Sequence, residues 1–465
     1  MHTILLHQLH EHLRSLRFQV SLVLLLLFFL ANGLVYAWKT ERVTQEMATI
    51  RADADQLYGR GRTVSAAVGQ YYQALSYPLG TEFIAEGGSN WYDDAAYINV
   101  SSEATPYSSA SLRTLNNWMP RFEIVDWTLI ARLVLSFLCL VLAYDAVSGE
   151  METGTYRLVL ANPVSRGAFL VGKYLAHLVV LLAATLVGML VSLLVLALTG
   201  TVVLDVALVR ACGLFLLGVA LYLSFFLFLC MGVSALARRS VSALVLLVLL
   251  WAVVIVAIPQ ASYLVGVRFE RSSGAWWQRA EQAIEQTRGR LAREGIGPRS
   301  RELARVDQYA LERQYATAMR PAEDEVLRLV DWAHGQDVRQ AELAARVNLL
   351  SPGFALQYTV EAFLGTGLPR YADFLRQARR YRDQVREFCR AQDATDPDSP
   401  HVLFYPAFMS TRSLDSTLIP RFHQAPISLA DSVRQSLLPV VLLALEAVAA
   451  FFFALWAIHR TDPVE

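Results

Sequence analysis

Six stretches of the chain stay apolar for about the 20 residues a helix needs to cross a bilayer core. Polar sequence separates them. They predict spans at 18–38, 127–144, 169–198, 206–236, 241–258 and 437–458. The first follows Arg14 and Arg17 and ends in Val35-Tyr36-Ala37, a loose match to a signal-peptide cleavage site. Its length and the bulky Trp38 favour an uncleaved anchor instead. Ahead of it, 1–17 reads as an amphipathic helix on the membrane surface.

Two long polar segments interrupt the spans. The segment 39–126 begins with a helical pattern and becomes rich in Gly, Ser, Asn and Tyr from about Tyr77. The segment 259–436 carries apolar residues at helical spacing. AEQAIEQTRGRLAREGI and RELARVDQYALERQYATAM predict two helices broken at 295–300; Pro321 starts another, and a further one covers 371–392. The fold class is therefore an all-α membrane protein with six transmembrane helices. A mostly helical extracytoplasmic domain sits between spans five and six, and a smaller one between spans one and two.

Orientation follows from basic residues in short loops. Arg14 and Arg17, then Arg157, Arg166 and Lys173, then Arg238 and Arg239, then His459 and Arg460 all fall on one side if both termini are cytoplasmic.

Composition agrees with a membrane chain: 465 residues, 55% hydrophobic, 18% charged, mean hydropathy +0.36. The formal net charge is zero, so no field draws it to nucleic acid. Cys139, Cys212 and Cys230 lie in apolar runs and Cys389 stands alone, which leaves no disulfide framework or metal spacing. His2, His7, His10 and His12 cluster at the start, and His7 and His10 could share a metal, but no further ligands complete the set. No Ser/His/Asp set and no HExxH motif occurs, so an enzyme reading lacks catalytic residues.

One stretch looks like nucleotide chemistry. Gly167-x-x-x-x-Gly172-Lys173 is a P-loop short of its last residue, with Tyr174 where Ser or Thr would bind magnesium. It leads directly into an apolar span, and no strand-rich nucleotide domain exists elsewhere, so the match is chance. Gly172 allows close helix packing, and Lys173 anchors the span at the interface.

The wider stretch, YDAVSGEMETGTYRLVLANPVSRGAFLVGK from Tyr144 to Lys173, carries a denser signal. Asp145, Ser148-Gly149-Glu150, Glu152, Gly154-Thr155, Leu158-Val159, Pro163-Val164-Ser165-Arg166 and Gly172-Lys173 follow a pattern that resembles the coupling loop of ABC-2 family permeases. The two long outer segments, with SPGFALQYTVEAFLGTGLPRYADF at 351–374, resemble a subgroup with large extracytoplasmic insertions. The resemblance implies a permease subunit of an ABC exporter in a bacterial inner membrane. It implies no ATPase site in this chain; ATP and Mg belong to two separate ATPase subunits, with a second permease copy or a related permease completing the path. It assigns coupling to Asp145, Gly149, Glu150, Glu152, Gly154, Thr155, Arg157, Pro163, Ser165 and Arg166. The residues themselves read as a short amphipathic helix on the cytoplasmic face, with Leu158, Val159 and Leu160 as its apolar side and the charges as its rim. The other class of reading is a membrane scaffold or sensor whose outer domain binds a protein partner.

Polar residues inside spans are costly and often functional. Glu446, Arg132 and Arg210 form the candidate intramembrane polar site, either as a structural ion pair, as part of a substrate path, or with Glu446 simply protonated. Trp118, Trp127 and Trp276-Trp277 read as interfacial anchors, and Phe404 to Phe408 as loop core.

Overall fold

The computed structural model describes residues 14–60, 62–87, 93–102, 107–110, 125–161, 165–262, 276–296 and 309–461. The amphipathic helix expected at 1–17, with its histidines, falls almost wholly outside the described residues, as do Trp118 and Pro163.

The apolar stretches are helices: Leu16–Arg60, Trp127–Leu129 running through π-helical Ile130–Leu135 into Ser136–Ala143, Arg166–Leu198, Val206–Ala237, Ser240–Ala252 with a π-helical end at Val253–Ala257, and Leu429–Arg460. All six are long and apolar enough to cross a membrane. Side-chain caps fix several starts by satisfying free amides of the first turn. Asp126 accepts from the Leu129 amide at 2.6 Å, Ser165 from Ala168 at 3.1 Å, and Asp205 from Leu208 at 2.8 Å. Ser428 accepts from Asp431 at 3.2 Å, which starts the last helix well before its apolar run. The first helix runs far past Trp38, because good helix formers continue without Gly or Pro until Gly59.

Small residues let the spans close up. A Cβ on Gly188 would lie 2.4 Å from the Phe29 ring, and one on Gly232 2.5 Å from Phe453. Trp127, expected at the interface, is instead fully buried among Phe29, Phe83 and Phe215, and its Nε1 donates to Ser192 Oγ at 3.1 Å.

The all-α expectation needs one amendment. Strands β1 (Tyr71–Leu75), β2 (Ala95–Asn99) and β3 (Tyr107–Ala110) form an antiparallel sheet in that order, with Tyr72 opposite Ile98 and Ile98 opposite Tyr107. The two long segments share a core. Val68, Tyr72 and Ile98 share a core with Phe374, Tyr381, Val385 and Met409. The Ser65 amide donates to Ser410 O at 2.9 Å, and Leu414 to Arg62 O at 2.7 Å.

Helices Trp276–Arg293 and Gly367–Ala394 occupy the regions expected. Pro321 does not begin a helix: Tyr309–Asn348 passes through it unbroken. Proline removes one ladder hydrogen bond, and the buried stripe Tyr315, Met319, Ala322, Val330 and Ala333 holds the helix on both sides of the gap. After it, the apolar helix Pro352–Leu364 packs into the span bundle. Leu356 contacts Gly218, and Gly353 lies against Arg132 and Ile255.

Candidate functional site: the elbow between the second and third spans

The motif-bearing loop folds into two short helices, Ser148–Glu152 and Thr155–Ala161. Between them Gly154 has φ +77°, a left-handed conformation that costs an L-residue about 1–2 kcal/mol. Gly149 has no such need, since a Cβ there would meet only Asp145 Cβ at 3.5 Å. The elbow is anchored by Tyr156, buried to 2% exposure and edge-on to Phe169 with ring centroids 5.6 Å apart.

Several motif polar groups bond to neighbouring helices, although Glu152, Thr155, Arg157 and Ser165 are exposed. Glu150 Oε1 lies 2.7 Å from Lys173 Nζ, and Lys173 also donates to Ala146 O at 2.7 Å. Glu150 Oε2 accepts from Thr155 Oγ1 at 2.6 Å. Glu152 accepts from the Ser240 amide and hydroxyl, both at 2.9 Å, tying the elbow to the start of the fifth span. Ser234 Oγ accepts from the Val147 and Ser148 amides at 3.2 and 3.0 Å. Asp145 pairs with Arg17 at 2.8 Å, and the Arg17 guanidinium sits 5.3 Å over the Tyr144 ring. Arg166 donates to His459 O at 2.7 Å, and Ser165 caps the third span. Five helices thus hold the elbow. Glu150, expected on the outer rim, turns inward to Lys173; Glu152 is exposed while bonded to Ser240, and Arg157 and Leu158 are exposed, Leu158 to 68%.

The near-P-loop residues Gly167 to Tyr174 all lie inside the helix Arg166–Leu198. Past the first turn, the amides a phosphate cradle would need are engaged in the helical ladder. Lys173 is buried to 3% exposure rather than placed at the interface, and Tyr174 stacks on Phe228 at 4.3 Å and shares a hydrogen bond with Ser224 at 2.8 Å.

The intramembrane trio does not assemble. The Arg132 guanidinium donates to Gln357 Oε1 at 2.5 Å and sits 4.3 Å over the Phe354 ring. Arg210 is exposed in the first turns of its helix. Glu446 keeps a buried Oε2 with no hydrogen bond, and no ion pair joins it to either arginine among the described residues. Gln357 instead links Arg132 to Glu361, whose Oε1 accepts from Gln357 Nε2 at 2.7 Å. Arg17, Ser234 and Ser240 were missed by sequence reasoning, because each reaches the elbow from a different span and carries no local signal. Among the described residues no group of three or more His, Cys, Asp or Glu could hold a metal ion.

Six helices long and apolar enough to cross a membrane, with a two-helix elbow between the second and third, fit a multi-pass membrane protein. The chain belongs to the ABC-2 family of transporter proteins, whose family model matches residues 2–455. A stretch of 101 residues is 37% identical to the probable ABC transporter permease protein NosY of Pseudomonas aeruginosa. The protein of that name from Stutzerimonas stutzeri is 34% identical over 101 residues. Each match covers 22% of this chain and 31% of the relative, so the chain spans about a third of the length of the curated relatives it matches.

Proposed function

We propose that this chain is the permease subunit of an ABC exporter in a bacterial inner membrane, with both termini in the cytoplasm. Two separate ATPase subunits, which carry the ATP and Mg, dock on the elbow at 145–168. A second permease copy or a related permease completes the path. Closure of the ATPases on ATP pushes the elbow, and the clamp passes the motion to the spans. The extracytoplasmic segments 39–126 and 259–436 guard the exit or engage a periplasmic protein.

The observation that carries this reading is the division of the elbow into a clamped inner face and an exposed outer one. Glu150 and Tyr156 face the bundle, while Glu152, Arg157 and Leu158 are exposed, with Glu152 bonded to Ser240. An element so fixed transmits force rather than absorbing it. Purification from the native host in mild detergent, followed by identification of co-purifying chains and an ATP hydrolysis assay, tests the proposal. An ATPase at equal stoichiometry is expected, and Arg157→Glu with Leu158→Asp should abolish its recovery while leaving the permease folded. A chain that arrives alone and inert, or a variant that retains the ATPase, overturns it.

A further inference from the structure

The extramembrane body holds a cavity of about 350 Å³ between β1, the turn after it and the strap at 421–424. Its charged lining is Arg51, Arg370, Arg421 and His423, and no carboxylate is among its described lining residues. A chain with zero net charge has concentrated positive charge here. A low-dielectric recess lined by one sign of charge focuses the field on an anion, and arginine forks match phosphate and carboxylate oxygens.

The rest of the lining is Gln73, Gln424 and an apolar set. Tyr77 and Leu79 are exposed to 40% and 41%, and Leu75 and Phe422 stand beside them. Large apolar side chains left open next to arginines suit a molecule with both an anionic head and an apolar body. The volume falls within the range of small-molecule sites. Arg51 lies roughly 20 Å further along the first helix than Trp38, so the occupant would be held clear of the bilayer rather than packed around the spans. We infer that this cavity binds an anionic amphiphile, its phosphate or carboxylate on Arg51, Arg370 and Arg421 and its apolar part on Tyr77, Leu79 and Phe422. The site stands whether or not the chain transports what it binds.

The test uses the full chain in neutral maltoside detergent, titrated with soluble dihexanoyl phosphatidylglycerol, dihexanoyl phosphatidylcholine and inorganic phosphate, with binding read by thermophoresis. Phosphatidylglycerol should bind at least tenfold more tightly than either of the others. Arg51→Gln with Arg421→Gln should weaken it tenfold or more, and Leu79→Ser should weaken phosphatidylglycerol without changing phosphate. Arg434→Gln, a basic residue outside the lining, should leave binding unchanged, and each variant's melting curve checks its fold. Equal affinity for phosphatidylcholine, or an unchanged Arg51/Arg421 variant, overturns the site. Phosphate binding as tight as phosphatidylglycerol overturns the amphiphile and leaves an inorganic-anion pocket.

Discussion

Lys173 Nζ lies 2.7 Å from Glu150 Oε1, with 4% of the lysine side chain and 20% of the glutamate exposed. The third span and the elbow are therefore joined by an ion pair that water barely reaches. Removing one partner of such a pair leaves an uncompensated charge, at about 3 kcal/mol. The deeper partner suffers more. Glu150→Ala should lower the melting temperature in detergent clearly more than Lys173→Met, because Glu150 retains solvent and Thr155. Equal losses would mean the pair is not buried as described.

The two motif glycines should separate. Gly154→Ala places a Cβ at φ +77°, so it should cost about 1–2 kcal/mol and misdirect the helix Thr155–Ala161. Recovery of a partner ATPase should fall while the spans stay folded. Gly149→Ala meets only ordinary contact and should match the native chain in both respects. Partner recovery and melting curves on the two variants decide it.

Asp145 and Arg17 offer a contrast with the buried pair. Their side chains are 33% and 55% exposed, and pairs of this kind contribute about 0–1 kcal/mol. Asp145→Asn should leave the melting temperature nearly unchanged at moderate salt. A drop comparable to that of Glu150→Ala would contradict it.

The outer end of the bundle should respond to pH. Burial pushes the Glu361 carboxyl up to about 8, with nearby Asp126 adding to the rise, and pushes Asp126 itself up to about 7. Both groups hold protons in the folded chain at pH values where the unfolded chain has released them. Stability therefore falls as pH rises from about 5 to about 8. Glu361→Gln cannot ionise and should flatten that decline, which melting temperatures across the range would show. A native profile that rises with pH in this window would refute the assignment.

Much of this was legible in the sequence. The spans declare themselves because each is a long apolar run, and the family motif of the elbow because its residues are dense and close together. What escaped depends on distance. The strands are short and rich in Ala, and they hold because Tyr72 and Ile98 pack on Phe374 and Tyr381 hundreds of residues away. Glu150 reads as a surface acid until the next helix brings Lys173 to it. Glu446 and Arg132 look like partners by depth, yet the helix Pro352–Leu364 supplies Gln357 to Arg132 first. Pro321 looks like a start signal, and burial on both sides overrides it.

The unbroken helix Leu16–Arg60 gives the molecule a lever. At 45 residues it is roughly 67 Å long. Its first turn reaches the elbow through Arg17 and Asp145, and just past its last residue Arg62 is joined to Leu414. A small tilt imposed at one end becomes a swing of several ångströms at the other, with no hinge between them to lose it. A push on the elbow would thus arrive beside Leu414 as mechanical displacement, along a single rod of backbone.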